Sequence, residues 1–129
     1  MAYVDGFVFV VKNKDEEAYR AMAQKAGAIW RSHGALDYKE CKGDDMHPKA
    51  PEGAPADMKP ASFVDLLQVG SDETVWFSYM VFESHAHRDA VNAEVMKDPA
   101  MNDPAWVGQP MPFDIKRMHY GGFEVMVDA

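Results

Sequence analysis

Apolar and polar positions change period several times along this chain, and each change marks an element. Over residues 2–11, Tyr3, Asp5, Phe7, Phe9 and Val11 alternate with Val4, Gly6, Val8 and Val10. Both sets are largely apolar, so the period of two predicts a strand covered on both sides. "NKDE" follows, with Asn13 as the expected N-cap and Glu16 three residues on, the pattern of a capping box. The period then becomes helical. Tyr19, Met22, Ala23, Ala26, Ile29, Trp30 and His33 recur at three- and four-residue steps, and Gly34 is a fitting stop. "LDYKECK" (36–42) reads as a second strand, more polar and therefore placed near a sheet edge.

The second half repeats the theme. "ETVWFSYMVFE" (73–83) is dense in β-branched and aromatic residues and predicts a strand. Ser84 is the expected N-cap of a helix running to about Lys97, closed by Asp98-Pro99. A last strand is expected from about Ile115 to Val127, where Gly121-Gly122 implies a bulge or a close backbone approach. Between these elements, residues 43–61 carry four prolines and two glycines and can hold neither a helix nor a ladder. A loop of this length is ordinarily functional or disordered. Ser62–Val69 is open between a short helix and an extended segment, and residues 98–114 form an irregular connection.

The order β-α-β-β-α-β predicts an α+β fold, a ferredoxin-like antiparallel sheet with two helices on one face, built as one domain over residues 1–129. The other face is then bare within the monomer although its residues are apolar. A homodimer packing two sheets face to face, a dimeric α+β barrel, is the economical solution.

Charge narrows the partners. Thirteen basic residues against 21 acidic give a net charge of -8, which opposes nucleic acid and anionic membranes. Cys41 is the single cysteine, so no internal disulfide is possible and the reducing cytoplasm is the natural compartment. The apolar start "MAYVDGFVFVV" lacks a basic n-region and is too short to span a bilayer.

Four stretches, "YVDGFV", "HGALDYKECKGDD", "AHRDAVNAEVMKDP" and "MPFDIKRMHYGGFEV", together resemble the YbaA-like family of small uncharacterised bacterial proteins. The resemblance spans nearly the whole chain except the Pro-rich segment at 46–61. It implies the dimeric α+β barrel superfamily and brings no established reaction. Superfamily relatives include cofactor-independent monooxygenases, haem-handling proteins and lactone isomerases, and those activities reach this chain by fold analogy alone.

The candidate chemistry centres on "SHAHRDAVN". His85 and His87 on a helix point about 200° apart, so one metal ion is not expected to take both. His87, Arg88 and Asn92 are the stronger candidates. Arg88 and Asn92 share a helix face, and an arginine in the first turn opposes the helix dipole and calls for a carboxylate or an anionic ligand. An ion-paired helix start is the simpler reading and a ligand-facing role the sharper one. In "KRMHYGGFEV", Arg117 and His119 are expected on one strand face, and Asp5 is expected to pair with polar groups of this last strand. Asp44, Asp45 and His47 read as a solvated turn, and Cys41 as a thiol without a nearby base. No metal or cofactor is called for, and no phosphate loop or nucleophile elbow is present.

The leading expectation is a homodimer binding a small molecule in a pocket between sheet and helices. Tyr3, Trp30, Tyr79 and Trp76 are expected to line it, with His87, Arg88, Asn92 or Arg117 orienting a polar group. The alternative is a cofactor-independent monooxygenase or isomerase with His87 or His119 as the proton shuttle. A second alternative, an interaction or scaffold protein, expects no sizeable cavity.

Overall fold

A computed structural model describes residues 1–129. Its sheet holds four strands: β1 (Tyr3–Lys12), β2 (Asp37–Lys42), β3 (Glu73–Phe82) and β4 (His119–Glu124). They lie in the order β2-β3-β1-β4 with every neighbouring pair antiparallel. Helices α1 (Glu16–Ser32) and α3 (His85–Lys97) follow β1 and β3, and a short α2 (Phe63–Leu67) interrupts the connection from β2 to β3. This is the ferredoxin-like arrangement, with β3 inserted between the two strands that α1 connects.

The alternation along β1 sorts the core. Tyr3, Phe9 and Val11 join Tyr19 and Ala23 of α1, Val91 and Val95 of α3, and Trp76, Met80 and Phe82 of β3 in the layer between sheet and helices. Phe9 and Phe82 are wholly buried, each worth about 2–3 kcal/mol of hydrophobic stabilisation. The intervening residue Val10 faces the other way and packs with Val75, Leu67 and partly buried Val64 and Met46. Helix α2 therefore covers one end of the face expected to be bare. Ser62 caps it, accepting from the Asp65 N–H at 3.0 Å, which resolves this ambiguous segment as helix.

The rest of that face stays open. Val4 and Val8 of β1, Tyr79 and Val81 of β3 are half-buried, while Phe77 and Phe123 are 43% and 61% exposed. Only 17 of 129 residues are buried, so one sheet face cannot complete its core within the chain.

Three local expectations are corrected, the cap of α1, the start of the last strand and the shared face of Arg117 and His119, and the two alternatives for Gly121-Gly122 are narrowed to one. Asn13 does not cap α1: it opens a 3-10 turn, and its side chain accepts from the Thr74 hydroxyl at 2.6 Å. Asp15 stands at the helix start without a side-chain cap bond. The last strand begins at His119, because Ile115–Arg117 form a 3-10 turn capped by the Asp114 carboxylate, which accepts from the Lys116 N–H at 3.0 Å. Arg117 and His119 thus do not share a strand face. Gly121-Gly122 sit in continuous register with Gly6 and Asp5, so they mark a close approach rather than a bulge. A Cβ on Gly122 would stand 2.2 Å from the Tyr3 hydroxyl. No helix is long and apolar enough to cross a membrane.

Candidate functional site

The β3–α3 junction is built from the "SHAHRD" residues and is closed. Ser84 Oγ accepts from the His87 N–H, and His87 Nδ1 accepts from the Glu83 N–H, both at 3.0 Å. Ser84 is thus the N-cap of α3, and the His87 ring reaches back past it to the N–H of the preceding residue, a variant of the capping box. An accepting Nδ1 leaves the proton of a neutral ring on Nε2, and Nε2 lies against Gly34, where a Cβ would meet it at 3.3 Å. The His87 ring also meets Phe82 edge-on at 6.0 Å. His85 turns the opposite way and stacks on Tyr3 at 4.7 Å, as the helical spacing requires.

Arg88 is clamped on every side. It donates to Asp5 at 2.7 Å, to the Tyr120 hydroxyl at 3.2 Å and to Asp89 at 2.8 Å, and its guanidinium lies 4.9 Å from the Tyr3 ring centre. Asp5 is 1% exposed. Its charged partner comes from α3 rather than from the last strand, with Tyr120 of β4 sharing the same guanidinium nitrogen. Burial holds the Asp5 carboxyl above the ordinary range, although the bond from Arg88 pulls it down. Asn92 accepts from the Trp30 indole N–H at 3.0 Å and ties α3 to α1.

The other sequence candidates lie elsewhere. Arg117 pairs with Glu73 and, at 2.8 Å, with Asp114. It also donates to the carbonyls of Leu67 and Gln68 at 3.4 and 3.3 Å, holding the end of α2, where Gln68 is left-handed at φ 50°. The Arg117 bond drives the Glu73 carboxyl down to about 2. His119 is exposed, with Nδ1 3.2 Å from the Arg117 carbonyl. Tyr79 faces the open side of the sheet beside Phe77. So Tyr3 and Arg88 meet in one network and Trp30 and Asn92 in a second, while Tyr79, Arg117 and His119 belong to neither.

A different group opens onto a cleft of about 660 Å³ between α1 and β2. On β2 the alternation sends Tyr38, Glu40 and Lys42 toward the helices, opposite Met80, Ser78 and Trp76. The Tyr38 hydroxyl donates to Glu40 Oε1 at 2.8 Å, and the Tyr19 hydroxyl, reaching from α1, donates to Oε2 at 2.7 Å. Burial raises the Glu40 carboxyl above its ordinary value, and the two hydroxyl bonds only partly counter it. Burial and the neighbouring carboxyl push both phenols well above theirs. Ala23, Gly27 and Trp76 complete the apolar wall, and at the lip Lys42 pairs with Glu16 at 2.6 Å. Gly27 is required here, since a Cβ would sit 2.8 Å from the Tyr38 ring.

Sequence reasoning read Tyr19 as core and "LDYKECK" as a polar edge strand, and so passed over this group. The available signal was the i, i+2, i+4 set Tyr38, Glu40, Lys42, whose central acid alternates onto the buried face of a strand.

Comparison with known proteins places the chain in a family. Residues 2–115 match the model of a protein family of unknown function, DUF1428, and the chain belongs to that family. It is 41% identical over 128 residues to the uncharacterized protein YbaA of Escherichia coli K12, covering 99% of each chain. The same identity and coverage hold for YbaA of Shigella flexneri. The resemblance drawn from the four stretches therefore stands. Among solved structures, a dimeric ferredoxin-like protein from an uncultured marine organism aligns over 100% of both chains. Its TM-score is 0.59 at 10% identity, a likeness of fold.

Proposed function

We propose that the protein is a homodimer that binds a small molecule in the cleft between α1 and β2. The observation that carries this reading is Glu40, a shielded carboxyl at an open cleft, bonded only to two tyrosine hydroxyls. Ligand cavities characteristically combine apolar walls with a few convergent polar groups. Of the aromatic residues expected to line a pocket, Trp76 lies in this cleft. His87, Arg88, Asn92 and Trp30 act in this reading as the fittings that hold α3 on the sheet. A scaffold protein without a pocket agrees less well with a cleft of about 660 Å³. An enzyme working through His87 or His119 has little geometric support, since one is engaged by the Glu83 N–H at the start of α3 and the other is exposed.

The dimer rests on the open apolar face and on the dimeric state of the ferredoxin-like structural relative. The single Cys41 suits the cytoplasm. Light scattering is expected to give a dimer at micromolar concentration, and Phe77→Glu to give a folded monomer; a monomeric wild type overturns the assembly. For the cleft, a thermal-shift screen of small polar and aromatic compounds is expected to yield ligands that raise the melting temperature of wild type but not of Glu40→Gln or Tyr38→Phe. A screen whose hits stabilise all three proteins equally places the ligand elsewhere.

A further inference from the structure

Asp5 is buried, Glu40 and Glu73 are partly shielded, and two of these three carboxyls have a cation. Asp5 has Arg88, and Glu73 has Arg117. Glu40 has none: its bonds come from neutral hydroxyls, and no ion pair of the protein includes it. The two cations lining the same cleft are already paired with other carboxylates, Lys42 with Glu16, itself in the lining, at 2.6 Å and Arg20 with Glu17 at 3.2 Å. A shielded carboxylate is ordinarily matched by a positive charge. Each Glu40 oxygen has accepted one hydroxyl and retains room for a second donor. The rings of Tyr38 and Trp76 lie in the same lining, and aromatic faces attract a desolvated cation. The net charge of -8 draws cations toward the surface.

We propose that the ligand of the cleft is an organic amine, whose protonated nitrogen supplies the cation that Glu40 lacks and whose apolar body lies against Tyr38 and Trp76. This inference rests on the cleft-binding reading above and adds the class of ligand. Three probes with one body and different charge separate the two: benzylamine, benzyl alcohol and benzoate, titrated while the Trp76 indole signal is followed by NMR. Benzylamine is expected to shift that signal saturably and benzoate to leave it unmoved. Glu40→Gln keeps the shape and still bridges both tyrosines, and it is expected to weaken benzylamine at least tenfold. If the alcohol or benzoate binds as tightly as the amine, or Glu40→Gln binds benzylamine unchanged, the amine class is overturned while the cleft remains a binding site. If no probe moves the signal, both readings fall. Should Glu40→Gln melt early, the ranking of the three probes on wild type still decides.

Discussion

The two ends of the helix-covered sheet face treat buried charge in opposite ways. At the start of α3, Asp5 is closed over by Arg88, Tyr120 and Tyr3, with the guanidinium itself largely withdrawn from water. Between α1 and β2, Glu40 is held by two hydroxyls and left beside an open cleft. A network whose every donor and acceptor is matched inside the chain specifies packing; one that lacks its counter-charge is available to a ligand. In the proposed reading the histidine- and arginine-rich stretch serves stability, and the quieter "DYKE" stretch of β2 supplies the candidate binding group.

Breaking the closed network is expected to have the largest effect. Arg88→Ala leaves Asp5 buried without its counter-charge, a loss of about 3–5 kcal/mol in the free energy of unfolding. Chemical denaturation measures it, and the double replacement Asp5→Asn with Arg88→Met is expected to recover part of the loss. A cost below about 1 kcal/mol would place this network with ordinary surface pairs and erase the contrast.

The second test uses Glu73, a carboxyl that has its cation and is displaced downward. Its folded value of about 2 lies below the ordinary 4.5, so its contribution is present above pH 4.5 and is lost as pH falls toward 2. With allowance for solvent screening, Glu73→Gln is expected to cost about 2 kcal/mol at pH 7 and far less near pH 2. Unfolding followed at several pH values would show the two curves converging on the acid side.

The smallest effect belongs to Glu40 and has the opposite sign. Burial raises this carboxyl in the folded protein, so its protonated form favours folding. That contribution is fully present below pH 4.5 and disappears as pH rises through the folded value. Wild type is therefore expected to lose ground to Glu40→Gln as pH rises through this range. A difference that stays constant across this range would mean that Glu40 is not shielded.

Much of the architecture was legible because it is local. Period-two and period-3.6 patterns gave β1, α1, β3 and α3, and Ser84 was recognisable as a cap because its partner, the His87 N–H, lies three residues on. Asn13 misled because a tertiary partner, the Thr74 hydroxyl, claimed the side chain that the capping pattern had assigned locally. The last strand was drawn too long because Asp114 captures the Lys116 N–H and turns the chain before pairing starts. The candidate site was less legible. Arg88 was flagged as a charge in need of a partner, which it is, but the partner lies 83 residues away.

The sequence by itself determined the element order, the apolar character of both sheet faces and the family, since periodicity, caps and motif strings are carried by neighbouring residues. Only the tertiary structure decided which buried charges are matched. Asp5 meets Arg88 across 83 residues, Glu73 meets Arg117 across 44, and Glu40 meets Tyr19 across 21 but meets no cation at all. Burial and counter-charge are properties of packed surfaces rather than of segments, and they separate the closed end of this sheet from the open one.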